Sequence, residues 1–292
     1  ARSVRRTRYR RGVRPRHRAG DTVSAATGAT GKVTAQKFET DRSPLLWLIE
    51  REVLRFLNIW QYTIVGPVLS TSLFVIVFGT VLNQHVSAIG GVPYGQFIVP
   101  GLFAQAIVTV GFINGTTSLF EARRDRYIHD VFASPLRWWE INAALVAGGV
   151  VRGVIVGAGV LVIALPLSHI HGIADPLLFA AGTIGVLLVA AQVGVIAGSL
   201  ASSLDHLYAM ESVVVLPLGF LGGVFYSVDQ LPAPWDQASL INPVFWLVQV
   251  ERAGLLGHAD VGAGAALAVV WAMAIGLSAW SAVLFGAERL KP

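Results

Sequence analysis

Six long apolar stretches, at roughly 62–82, 96–118, 141–167, 176–201, 207–226 and 262–286, leave this 292-residue chain few possible folds. A helix needs about 20 apolar residues to cross a bilayer core, and each stretch is about that long or longer. Backbone amides find no water in lipid, so a crossing segment must satisfy its own hydrogen bonds, as a helix does. Only 13% of the residues are charged and 54% are hydrophobic, whereas a soluble domain is about a quarter charged. The expected fold is an all-α polytopic membrane protein with six transmembrane helices.

The basic residues orient those helices. Fourteen of the 22 Lys and Arg lie in 1–60. Arg123, Arg124, Arg126 and Arg137 lie between the second and third stretches, and Arg289 and Lys291 follow the sixth. Segments 83–95 and 168–175 have none, and 227–261 has only Arg252. Lys and Arg accumulate on the cytoplasmic side of a membrane, which predicts that both termini are cytoplasmic. The remaining basic residue, Arg152, falls inside the third stretch.

Nine arginines in the first 18 positions, followed by small polar residues, predict a basic disordered cytoplasmic tail over 1–41. Anionic lipid beside this tail accounts for the net charge of +5 without a nucleic-acid partner. No apolar run follows Arg5-Arg6 before Leu45, so no cleavable signal is expected. Ala26 to Val33 (A-T-G-A-T-G-K-V) approximates a phosphate-binding loop. It lacks the Ser or Thr after the lysine and the preceding strand, and reads as a flexible linker. The chain has no cysteine, which excludes disulfides, thiolate metal sites and cysteine nucleophiles.

Residues 44–60 place Leu46, Ile49, Val53, Phe56, Leu57 and Trp60 at 3/4 spacing, with Glu50, Arg51, Glu52, Arg55 and Asn58 on the other side. That pattern predicts an amphipathic helix on the membrane surface, acting as an anchor, a docking surface or both. The connection 119–140 alternates charges and carries Ile128, Val131 and Phe132 as an apolar stripe, which favours docking of a partner protein. Trp138-Trp139 marks its return to the membrane.

Within the spans, Gly149, Gly153 and Gly157 at four-residue spacing predict close helix packing. Arg152 and Glu211 are the intramembrane charges. Arg152 is open to snorkelling, to pairing with Glu211 or Asp205, or to lining a path. Gln105, Asn114 and Gln192 read first as hydrogen-bonding links between helices. Pro217, Gly219, Gly222, Gly223, Pro232, Pro234 and Pro243 break up the region after the fifth span. The apolar piece after Pro243 is too short to cross, being interrupted by Glu251 and Arg252, and reads as re-entrant or interfacial. His169 and His171 form the only close histidine pair, and without a third ligand no metal site is expected. No catalytic residues are expected.

Several stretches together resemble the ABC-2 type transporter permeases, specifically their YadH- and NodJ-like branch. They are L-N-I-W-Q-Y-T-I-V-G-P-V-L-S (57–70), Y-G-Q-F-I-V-P-G-L (94–102), A-G-G-V-V-R-G (147–153), L-G-G-V-F-Y-S (221–227), L-P-A-P-W (231–235) and I-N-P-V-F (241–245). The resemblance covers about 45–292 and implies one transmembrane domain over 42–292. It implies export of an amphipathic cargo (a drug, lipid-linked saccharide or glycolipid) across the bacterial cytoplasmic membrane. Two six-span copies, a homodimer, would form the path. A separate ATPase subunit would hold ATP and magnesium, so this chain needs no cofactor and is not itself an enzyme. Helix 44–60 and loop 119–140 resemble the connecting and coupling helices, with Glu50, Arg51, Arg123, Arg124, Asp125 and Phe132 as coupling residues. Segment 228–254 resembles a re-entrant outer cap. Phe74, Phe78, Gln105, Phe112, Asn114, Phe220 and Phe225 are the expected path residues. The alternatives are a membrane-embedded enzyme and a non-transporting scaffold of an envelope assembly complex.

Overall fold

A computed structural model describes residues 43–81, 88–126, 131 and 134–289, with side chains left out at 80, 81 and 285–289. The tail read over 1–41 and the coupling residue Phe132 lie outside the described residues. The first helix, α1, spans Pro44–Leu57, with Pro44 at its first turn and Ser43 Oγ accepting the Leu46 amide at 3.4 Å. The span-length helices follow: α2 (Gln61–Gly79), α3 (Tyr94–Arg124), α4 (Trp138–Leu167), α5 (Pro176–Leu200) and α6 (Leu204–Leu221). Two shorter helices, α7 (Trp235–Ile241) and α8 (Pro243–Leu256), precede the last, α9 (Ala263–Arg289). A two-stranded hairpin, β1 (Ala88–Ile89) and β2 (Val92–Pro93), leads into α3.

Six helices among the described residues are long and apolar enough to cross a membrane. The helix starts follow local chemistry. Asp175 Oδ1 accepts the amides of Leu177 and Leu178 at 3.1 and 3.0 Å, with Pro176 next in line. Asn242 Oδ1 accepts the Val244 amide at 2.9 Å ahead of α8, and Gly257 closes that helix at φ +68°.

Helix α3 is the axis of the bundle: 78% of its apolar window is buried, against 17% for α6. Small residues let its neighbours approach. A methyl group on Gly115 would stand 2.6 Å from the Ala191 carbonyl oxygen of α5. On α4, methyls at Gly149 and Gly157 would meet Ala191 and Phe103 at 3.0 Å, and one at Gly153 would overlap Leu187. Helix α1 lies at the end of the bundle where α3 finishes and α4 begins, whereas α8 lies at the opposite end, against the starts of α3 and α5.

Several boundaries differ from the sequence reading. Helix α3 runs over 94–124 rather than 96–118, because a helix does not stop where hydrocarbon does, and Arg123 and Arg124 form its last turn. Much of the expected loop is therefore helix. Helix α6 ends at Leu221 rather than 226, since Gly222 follows it and Gly223 turns the chain at φ +77°. Glu251 and Arg252 do not interrupt α8; they sit inside it, fully buried. Helix α2 begins and ends in wide π turns, Gln61–Val65 and Val77–Val81, and α6 contains another at Glu211–Val215.

Candidate substrate path and coupling surface

Helices α2, α3 and α6 line a laterally open cavity of about 470 Å³ whose wall is mostly apolar. On α3, Leu102, Ala106, Thr109 and Ile113 line it, the 3/4 spacing of one helix face. Phe74 of α2 and Phe220 and Phe225 at the end of α6 line it too, with Gln105, Ser70, Thr71 and Glu211 as polar members. The aromatic rings form a chain: Phe74 to Phe78 at 6.0 Å, Phe78 to Phe225 at 5.0 Å, and Phe225 to Phe220 at 5.3 Å between centroids. Five of the seven expected path residues thus lie together. Phe112 and Asn114 do not join them. Phe112 faces a second, wholly apolar cleft of about 430 Å³ between α3, α5, α6, α8 and α9. Asn114 is fully buried beneath α1, its Oδ1 accepting from Arg55 at 3.2 Å. All three π turns fall on α2 and α6, the helices that line the cavity with α3, and such turns recur at functional sites.

Below the cavity a polar network binds α1 to the bundle. Glu52 is fully buried, and its carboxylate accepts from Arg51 at 2.8 Å, from Arg55 at 3.3 Å and from the Ser118 hydroxyl. Arg55 also donates to Thr117 Oγ1, Glu121 Oε2 and the Asn114 carbonyl, each at 3.3 Å. A buried carboxylate persists only when paired and hydrogen-bonded, and here the pairing joins α1 directly to α3. A methyl group on Gly148 of α4 would stand 2.9 Å from Glu52 Cβ, so α4 closes on the network from behind.

Arg152 lies next to this network. Its Nε and Nη2 both donate to the Thr63 carbonyl at 3.2 Å. Neither Glu211 nor Asp205 is its partner. Thr63 sits in the first turn of α2, so Arg152 stands where α2 begins. Arg152 is near the middle of α4 in sequence, so its charge is met there by the Thr63 backbone carbonyl of a neighbouring helix.

The expected coupling residues separate on the surface. Glu50 is exposed on α1 and Arg51 is tied to Glu52. Arg123 donates to the carbonyls of Ser199, at 2.5 Å, and Gly198, at 3.5 Å, which end α5; it caps a neighbouring helix. Arg124 pairs with Asp125 at 2.8 Å, both half exposed, and that hydrogen bond holds the Asp125 carboxyl below the usual carboxylate range. Val131 packs against the buried cluster that contains Leu48, Leu119 and Leu136, and so faces the protein.

At the α8 end the sequence reading missed a second charged cluster. Arg252 is fully buried, donates to the Gly223 carbonyl at 2.7 Å, lies 3.9 Å over the Phe97 ring and stands 3.6 Å from Asp260. Asp260 in turn accepts from Ser227 Oγ at 2.7 Å, the Val228 amide at 3.1 Å and Gln249 Nε2 at 2.8 Å. Glu251 accepts from Thr183 at 3.1 Å, and its other oxygen has no hydrogen-bond partner. The available signal was the 3/4 spacing of Phe245, Gln249 and Arg252 on one face of α8. Among the described residues no group of His, Asp and Glu could hold a metal ion.

The family model for ABC-2 type transporters matches residues 44–256, from the first residue of α1 to the last of α8. The chain belongs to the ABC-2 type transporter family. It is 34% identical over 239 residues to the inner membrane transport permease YadH of Escherichia coli strain K12, covering 81% of this chain and 93% of that one. Nodulation protein J of Rhizobium leguminosarum bv. trifolii is 26% identical over 198 residues, 67% of this chain and 75% of its own. Nodulation protein J of Neorhizobium galegae is 20% identical over 230 residues, 78% and 87% of the two chains. The matched stretch thus contains the cavity, the Glu52 network and Arg252, while Asp260, the partner of Arg252, lies just beyond it.

Proposed function

We propose that this chain is the transmembrane permease subunit of an ATP-binding-cassette exporter in the bacterial cytoplasmic membrane. It moves an amphipathic cargo, such as a drug, lipid-linked saccharide or glycolipid, outward. A separate ATPase subunit holds ATP and magnesium and supplies the energy. Both termini face the cytoplasm, and the basic tail 1–41 lies against anionic lipid. Helix α1 and the connection from Arg123 to Arg137 meet the ATPase, and α7 and α8 form a re-entrant outer cap. The printed name of the YadH relative, an inner membrane transport permease, supports the membrane and the transport role.

The carrying observation is the cavity between α2, α3 and α6, together with the faces beside it. Leu69 and Leu73 of α2 and Val213 and Phe220 of α6 are exposed, large and apolar. A second copy set against these faces converts two half-cavities into one path shielded from lipid. The test uses Leu73→Cys and Val213→Cys, introduced singly into this cysteine-free chain and reconstituted with the ATPase. Oxidation should cross-link two copies and stop ATP-dependent transport of a fluorescent amphiphile, and reduction should restore it. Transport that needs no ATPase, or that proceeds in preparations containing monomers alone, refutes this reading.

A further inference from the structure

Glu211 is an unusual member of the cavity wall. It is the one charged side chain among the residues that line the cavity, and it is half buried. Among the described residues it makes no hydrogen bond or ion pair. The acids Glu52, Glu251 and Asp260, which are buried elsewhere, each accept at least one hydrogen bond from the protein. An ionised carboxylate facing an apolar cavity without a partner is costly, and a mobile cation is the group that would relieve that cost.

The rest of the wall adds direction. Glu211 stands at the end of the cavity towards α1, while Phe220 and Phe225 stand at the far end, beside Phe74. Phe220 lies nine steps along the helix from Glu211, about 14 Å at about 1.5 Å per step. Gln105, on the wall between them, spends its amide N–H on Thr109 at 3.4 Å and leaves Oε1, packed against Gly219, with no donor. Phenyl faces at the far end are also negative and favour cations or aromatic groups.

Resting on the path reading above, we propose that this cavity is a binding site for hydrophobic organic cations. The positive centre pairs with Glu211 and the apolar, aromatic part lies against Phe74, Phe220 and Phe225. A carboxylate placed this way rejects anionic amphiphiles of the same shape, because like charge in a poorly solvated site is repulsive.

The test uses two ions of nearly equal shape and opposite charge, tetraphenylphosphonium and tetraphenylborate. Binding of each is measured to the permease–ATPase complex in lipid nanodiscs, with uptake by empty nanodiscs subtracted. Wild type should bind the cation and not the anion. Glu211→Gln should weaken cation binding about tenfold or more, Glu211→Asp should keep most of it, and adding Gln105→Glu to Glu211→Gln should restore it. Phe220→Ala should also weaken the cation. Equal binding of both ions by wild type overturns the proposal, as does cation binding unchanged in Glu211→Gln or absent from wild type. If Phe220→Ala impairs transport of neutral amphiphiles while Glu211→Gln leaves cation binding intact, the path reading survives and the charge selectivity falls. If neither substitution alters binding or transport of any probe, the path reading falls as well.

Discussion

The two ends of the bundle bury charge in different ways. At the α1 end, Glu52 is out of water, but its partners Arg51 and Arg55 keep 27% and 21% of their side chains exposed. At the α8 end both members of the pair are sealed, Arg252 at 0% and Asp260 at 3%. The Glu52 carboxylate is well satisfied, with donors from α1 and α3 converging on it, although Asn114 Nδ2 beside Arg55 has no partner. The α8 cluster leaves Arg252 Nε and Nη1 and Glu251 Oε1 without hydrogen bonds. One end is therefore a partly exposed network that ties α1 to α3. The other holds α8 on the bundle with charges that water cannot rescue, and with hydrogen-bonding capacity left over for a second arrangement.

That contrast ranks the consequences of breaking each end. Arg252→Ala should have the largest effect. It strands Asp260 near a sealed site and removes the tie to Gly223, and breaking a buried pair costs about 3–5 kcal/mol. The melting temperature of the purified complex should fall steeply and transport should be lost. Arg252→Lys should recover part of the stability, since it restores charge without the planar fork. A melting temperature for Arg252→Ala within error of wild type would show that the cluster does not hold α8.

Glu52→Gln and Arg152→Ala should come next. Arg51 and Arg55 can turn to water when Glu52 loses its charge, so the cost should be about 1–3 kcal/mol. The informative reading is functional. ATPase association should persist while ATP hydrolysis no longer drives transport, because α1 has lost its grip on α3. Arg152→Ala frees the Thr63 carbonyl in the first turn of α2, with a similar expected cost of about 1–3 kcal/mol, and should impair transport more than Arg152→Lys does. Wild-type transport and melting in both Glu52→Gln and Arg152→Ala would remove the network from the mechanism.

The sequence disclosed the spans but not these clusters, for physical reasons. Hydropathy sees the hydrocarbon-length core of a helix, so the six spans were legible while the ends of α3 and α6 were not. It also treats every charge as a break. Glu251 and Arg252 were therefore read as the end of an apolar segment, when partners from Phe97, Gly223 and Thr183, distant in sequence, make their burial possible. Asn114 shares α3 with Gln105, but on a face turned toward Arg55, and Phe112 lies on the flank facing the second cleft. The cavity-lining face of α3 runs through Leu102, Gln105, Ala106, Thr109 and Ile113, and only Gln105 and Thr109 mark it with polar side chains.

The smallest effect on stability belongs to the exposed pair at the tip of α3. Arg124 and Asp125 are half exposed, and solvent screening leaves such a pair little to contribute to stability. Arg124→Ala should leave the melting temperature close to wild type. If this tip meets the ATPase, the same substitution should still weaken ATPase association, and charge reversal with Arg124→Glu should weaken it further. The protonation of Asp125 gives a second handle. Its folded pKa is lowered chiefly by the hydrogen bond from Arg124. Whatever that bond contributes is present above the ordinary carboxylate pKa and is lost as pH falls through the lowered value. ATPase association should therefore be flat with pH above about pH 5, in wild type and Arg124→Ala alike. Association that is indifferent to Arg124→Glu would move the docking surface away from the tip of α3 and leave α1 as its remaining element.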